Sequence, residues 1–200
     1  SYGFRWNLES GAVELLSTSN ASTAWSVAND GTVAGTFSTD KLNGKMTEVP
    51  GYYDNQGWHT VEMPGGQVNY GTGTGITPDG KAMTGYVIVD GIYRSYVWRE
   101  GKIDWTVNFN DHTLSYAIAP DGKAMTGWSF EYNRTAYCWA DDGTKTLLSD
   151  VKSPWSSGRY FSSDGKKLLF GGGWDESKKD HNWLRCLYDR ESGEYTYVPT

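Results

Sequence analysis

Cysteine and histidine are scarce in this chain, and each scarcity closes off a class of protein. Two cysteines cannot supply the disulfide framework that holds small secreted domains together. His59, His112 and His181 lie far apart and form no H-E-x-x-H spacing, so no zinc-hydrolase motif is present. No apolar stretch approaches the roughly 18 residues that a membrane-spanning helix requires. Basic residues are outnumbered, 18 Lys and Arg against 24 Asp and Glu, for a net charge of −6. That balance repels a phosphate backbone, and no Lys/Arg stripe interleaved with aromatics offsets it, which argues against nucleic acid. The segment Asp175-Glu176-Ser177-Lys178-Lys179-Asp180-His181 mixes both signs of charge and reads as a solvated loop, not a calcium loop with oxygen ligands at regular offsets. The expectation is that no metal or cofactor is bound.

Glycine and aromatics are plentiful instead, with 25 Gly, 14 Tyr and 10 Trp. This composition suits short strands, tight turns and an aromatic core. Four Asp-Gly pairs, Asp30-Gly31, Asp79-Gly80, Asp121-Gly122 and Asp164-Gly165, recur at spacings of 49, 42 and 43 residues. Each stands between two short apolar runs. Two copies, Ile76-Thr77-Pro78-Asp79-Gly80-Lys81-Ala82-Met83-Thr84-Gly85 and Ile118-Ala119-Pro120-Asp121-Gly122-Lys123-Ala124-Met125-Thr126-Gly127, are almost the same over ten positions. A period near 40 residues built from β-hairpins predicts propeller blades. Pro-Asp-Gly-Lys suits a type I turn, with Gly in the left-handed position that a bulged hairpin requires.

A second series of turns alternates with the first: Trp6 then Gly11, Tyr53 then Gly57, Trp98 then Gly101, Trp139 then Gly143, Tyr188 then Gly193. The predicted blade therefore has four antiparallel strands. In the clearest copy they are Ser115 to Ala119, Lys123 to Trp128, Thr135 to Trp139 and Lys145 to Leu148. The fold class is all-β, one β-propeller domain over 1–200 with about 4.5 repeats of 42–49 residues and no helix required. A half blade occupies 1–20 and blades follow at about 21–66, 67–110, 111–152 and 153–200, with an insertion from Thr39 to Val49. Five outer turns against four inner ones read as part of a larger ring, the missing half blade coming from upstream residues or another chain.

The segments Ser26 to Gly35, Ile76 to Gly85 and Ile118 to Gly127, each followed by an aromatic strand such as Tyr96-Val97-Trp98 or Tyr137-Cys138-Trp139, resemble the HAF-type repeats of bacterial extracellular propeller proteins. Pro-Asp-Gly-Lys resembles, more loosely, the TolB-type WD40-like repeats. The resemblance implies a bacterial protein that is secreted, periplasmic or at the cell surface.

Catalysis is the weaker functional reading. Inner strands of a propeller line its channel, yet Ala24 to Ala28, Gly73 to Thr77, Ser115 to Ala119 and Gly158 to Ser162 carry no Asp or Glu, and their only charge is Arg159. A glycoside hydrolase or lyase would have to take its carboxylates from loops, such as Asp111, Asp150 or Asp175. The first reading is a non-catalytic binding module. Phe37, Tyr86, Trp128 and Trp174 stand at or next to the Gly that ends each second strand, a pattern that could ring one rim with sugar-stacking faces. The competing reading is that repeated aromatics fill the wedge between blades. On the glycan reading, Tyr86, Trp128 and Trp174 stack on a sugar polymer while Asp90, Asn133 and Asp175 accept its hydroxyls. Tyr132, Trp155 and Trp58, aromatics that do not repeat, are further recognition candidates. A surface-protein partner is the alternative ligand. Cys138 and Cys186, in third strands of adjacent repeats, are expected to be free thiols.

Overall fold

The computed structural model describes residues 2–17, 21–42, 45–62, 70–106, 112–132, 134–148, 155–171 and 185–198. They divide into two compact units, Ser1–Asn108 and Phe109–Thr200. Both are antiparallel β-sheet, and among the described residues the only helical turn is a 3₁₀ turn at Phe130–Tyr132.

The first unit opens with a two-stranded hairpin, β1 (Phe4–Trp6) and β2 (Val13–Leu15). Two antiparallel quartets follow: β3 (Ser22–Val27), β4 (Val33–Leu42), β5 (Lys45–Asp54) and β6 (Gly57–Thr60), then β7 (Tyr70–Ile76), β8 (Ala82–Val89), β9 (Ile92–Arg99) and β10 (Lys102–Thr106). One parallel pair, Glu48 with Tyr70, links the quartets. The insertion at 39–49 lengthens β4 and β5 to ten residues each. The second unit repeats the pattern twice, as β11 (Thr113–Ile118), β12 (Ala124–Ser129), β13 (Thr135–Ala140) and β14 (Lys145–Leu147), then β15 (Ser157–Phe161), β16 (Lys167–Gly171), β17 (Arg185–Asp189) and β18 (Tyr195–Tyr197).

Turn chemistry accounts for the quartets. In every inner hairpin the Gly amide donates to the carbonyl three residues back, Gly31 to Ala28, Gly80 to Thr77, Gly122 to Ala119 and Gly165 to Ser162, at 2.8–3.0 Å. The preceding Asp accepts the amide two residues on, at 2.9–3.1 Å, so the copied carboxylate holds the turn closed. All nine turn glycines of the two series have positive φ.

Cores lie between consecutive quartets. In the first unit Ala28, Ala34, Val61, Ile76, Met83, Val87, Tyr96 and Trp98 form one cluster, and in the second Ala119, Ala124, Ala136, Cys138, Leu148, Leu168, Phe170 and Cys186 form another. Trp98 and Trp139 are buried, as wedge aromatics should be. Trp6 differs: it lies on the face of the β1–β2 hairpin that carries Phe4, Val13 and Leu15, all more than half exposed. Cys138 and Cys186 are buried free thiols.

Every inner strand carries a β-bulge at the same place. Pairing skips Trp25 in β3, Thr74 in β7, Tyr116 in β11 and Arg159 in β15. Opposite the bulge in the first three quartets stands the copied glycine, Gly35, Gly85 or Gly127. A Cβ on these would lie 1.7–2.0 Å from the carbonyl oxygen of Thr23, Thr72 or Leu114, closer than any atom tolerates. In the last quartet the partners are exchanged: Phe170 takes the second-strand position and Gly158 the inner one. A bulge bends its strand and re-aims the extra side chain. The copied glycine thus gives the room in which an uncopied residue of the inner strand can bulge.

Candidate functional site: an aromatic–guanidinium ladder

In the second unit, two of these bulge residues meet. The Arg159 guanidinium sits over the Tyr116 ring, 4.4 Å from its centroid. The Tyr116 hydroxyl accepts a hydrogen bond from the Trp128 indole N–H at 3.0 Å. Arg134 lies over Trp128 at 4.8 Å and reaches Trp155 at 6.0 Å. The order is Arg159, Tyr116, Trp128, Arg134, Trp155, each held by the next. Phe130 extends the row, edge-on to Trp128 at 4.9 Å, with His112 edge-on to Phe130 at 5.7 Å. Contacts of this kind are worth about 0.5–1 kcal/mol each where exposed and more when desolvated.

Local backbone places the ends. Arg134 has φ of 62° and Trp155 of 72°, left-handed conformations that cost a bulky residue on the order of 1–3 kcal/mol and cluster at functional sites. The 3₁₀ turn Phe130–Tyr132 carries the chain from β12 to Arg134. Exposure divides the row into support and surface. Trp128 is only 6% exposed, whereas Trp155 is 57%, Phe130 48% and, beside Arg159, Tyr160 66%.

The sequence-predicted residues fall out as follows. Trp128 joins the ladder as its buried support. Trp155 belongs to it as well. Tyr86 is half-buried between Tyr70 and Tyr93, with ring centroids 6.3 and 5.7 Å away, and belongs to the first unit. Asp90, φ 52°, forms with Gly91, φ 77°, the two-residue turn of the β8–β9 hairpin, as a type I′ turn demands. Trp58 stacks on Phe37 at 5.5 Å, and His59 pairs with Asp54 at 2.8 Å while stacking on Tyr52. Asn133, Trp174 and Asp175 lie outside the described residues, as do Asp111 and Asp150, and of Tyr132 only the backbone is described. Tyr116, Arg134 and Phe130 were missed by sequence reasoning. Arg159, the lone charge on any inner strand, was the available signal.

The first unit holds an open cleft of about 450 Å³ where three hairpin turns meet, lined by Arg5, Trp6, Asn7, Glu14, Asp30 and Asn55 among others. Its Arg5 is already engaged: it pairs with Glu14 at 2.6 Å and donates to the Gly31 carbonyl at 2.9 Å. Arg5 above all, together with the Tyr53 hydroxyl, holds the Glu14 carboxyl below its usual range. Among the described residues no three His, Cys, Asp or Glu side chains gather as a metal site would require, and no helix is long and apolar enough to cross a membrane.

No protein-family model matches the chain, and no curated protein does. Among solved structures it is similar to TolB from Acinetobacter baumannii, at 16% identity and a TM-score of 0.64, covering 100% of this chain and 49% of that one. A putative TolB from Agrobacterium tumefaciens is 18% identical with a TM-score of 0.64, covering 98% of this chain and 73% of that one. The β-propeller domain of the Trilobed protease from Pyrococcus furiosus is 12% identical with a TM-score of 0.59, covering 90% and 57%. The chain thus spans about half the length of the first of these. Likeness at such identities carries architecture alone, and with the quartets and their bulges it makes this chain a β-propeller of four-stranded antiparallel blades.

Proposed function

We propose that the chain is a non-catalytic binding propeller whose ligand is another protein, bound across the ladder of the second unit. The observation that carries this reading is Arg134 held between Trp128 and Trp155. Trp, Tyr and Arg are the residues that dominate binding energy at protein interfaces, and here they form one connected row with Trp155 and Phe130 exposed along it. Glycan binding is the second reading, favoured by Trp155, an exposed indole in a loop. A hydrolase or lyase would need loop carboxylates, and the inner strands carry none. An envelope or extracellular location rests on the resemblance of the repeats. The exposed face of β1–β2 is where a further sheet, from the same protein or another chain, would pack.

Parallel selections test the reading: a displayed library of protein fragments and an immobilised glycan array, each probed with the native chain and with Trp155→Ala. Protein fragments are expected to be enriched and to lose at least tenfold in affinity on the variant. Selective retention of an oligosaccharide, abolished by Trp155→Ala, would move the assignment to glycans.

A further inference from the structure

The geometry points to the two arginines of the ladder as an anion site that takes the carboxylates of an acidic peptide segment, an inference that rests on the binding reading above. Arg134 and Arg159 have no acidic partner among the described residues, although acids outnumber bases in the chain. Arg5, Arg99, Lys145 and Lys166 there are each paired with a carboxylate. The acid nearest Arg134 in sequence, Glu131, is taken by Lys145 and by the Tyr137 hydroxyl at 3.2 Å. Arg94, Arg185 and Arg190 likewise have no carboxylate partner there; Arg134 and Arg159 are set apart by their seats on the ladder's rings, Arg134 on Trp128 and Arg159 on Tyr116.

A guanidinium seated on a ring face keeps its in-plane N–H donors available, and that planar fork matches a carboxylate bidentately. The ring also holds the long side chain in place before the ligand arrives, which reduces the ordering cost of binding. Two such forks separated by two linked rings call for two negative groups on one ligand. An extended peptide with acids at alternate positions presents a row of carboxylates along one side, from which two can meet the two forks. The exposed Trp155 and Phe130 supply apolar contact for intervening side chains. Small inorganic anions would leave those surfaces unused.

The test is titration calorimetry on the full chain with four probes: capped Glu-Phe-Glu-Leu-Glu, its Gln-Phe-Gln-Leu-Gln counterpart, trigalacturonate and inorganic phosphate. The Glu peptide is expected to bind at least tenfold more tightly than the Gln peptide and to weaken as salt rises. Arg159→Gln and Arg134→Gln should each cost about tenfold, while Lys81→Gln, a turn residue of the first unit, changes nothing. Arg159 is exposed on its strand, so its variant should fold even if Arg134→Gln does not. Equal binding of the two peptides, or indifference to Arg159→Gln, would overturn the inference. Trigalacturonate or phosphate binding as tightly, with the same arginine dependence, would overturn the peptide assignment. If the Glu peptide fails while a selected fragment still depends on Trp155, the anion inference falls and the binding reading stands.

Discussion

At the scale of single residues, the glycines separate into two physical jobs. Gly127 has an ordinary φ but no room: its Cβ would meet the Leu114 carbonyl oxygen at 1.7 Å. Gly143 has room but φ of 85°, with nothing within 4 Å of a Cβ. Gly127→Ala should therefore cost about 3 kcal/mol or more, the upper end of overpacking, and disturb the bulge that aims Tyr116. Gly143→Ala should cost about 1 kcal/mol, the strain of a left-handed residue. Urea denaturation checks both, and equal costs would refute the distinction. The copied aspartates belong to this scale too. The Thr77 hydroxyl and then the Lys81 amide hold Asp79 below the ordinary value near 3.8, as the Ser162 hydroxyl and the Lys166 amide hold Asp164. A carboxylate with a depressed folded-state pKa stabilises fully above its unfolded value and loses that contribution as pH falls through the folded one. Stability should thus decline below about pH 4, and Asp79→Asn with Asp164→Asn should make that decline shallower. Denaturation curves between pH 2.5 and 6 measure it, an unchanged slope counting against the assignment.

At the scale of elements, the bulged inner strand is the unit that links architecture to recognition. Its frame was legible in advance: Asp-Gly turns, alternating runs and aromatic third strands predicted β11 to β14 to within two residues at each end. The bulge was not legible, because pairing two residues against one depends on which carbonyl approaches which glycine, a relation between strands. Nor was the length of β4 and β5. Position alone leaves the form of the insertion at 39–49 open, but an antiparallel pair extends whenever both arms go on pairing, and the ladder here runs on to Leu42 and Lys45. The burial of Trp128 belongs with these. From sequence it was either a rim face or a wedge, and its burial comes from packing against Tyr116, Arg134 and Phe130.

At the scale of the molecule, each unit is stabilised by the wedge between its two quartets. In the second unit that wedge contains both thiols, and burial pushes Cys138 up to about 11 and Cys186 upward as well. Native Cys138 should therefore be nearly all thiol at pH 8 and inert to Ellman's reagent, both cysteines reacting only when the unit opens. Labelling with and without denaturant tests this; rapid reaction of two thiols in the native chain would contradict it. Leu148, fully buried in the same cluster, should cost about 2–5 kcal/mol as Leu148→Ala and speed the labelling.

Sequence alone determined the repeat, the turn types, the strand polarity and the all-β class, because these depend on interactions within about ten residues, copied along the chain. Only the tertiary structure decided the ladder, because its members come from residues 116, 128, 134, 155 and 159. Their meeting depends on bulge register and on two quartets packing side by side. Copied residues build the blades by local rules, and uncopied ones acquire chemistry through neighbours that lie far away in the chain.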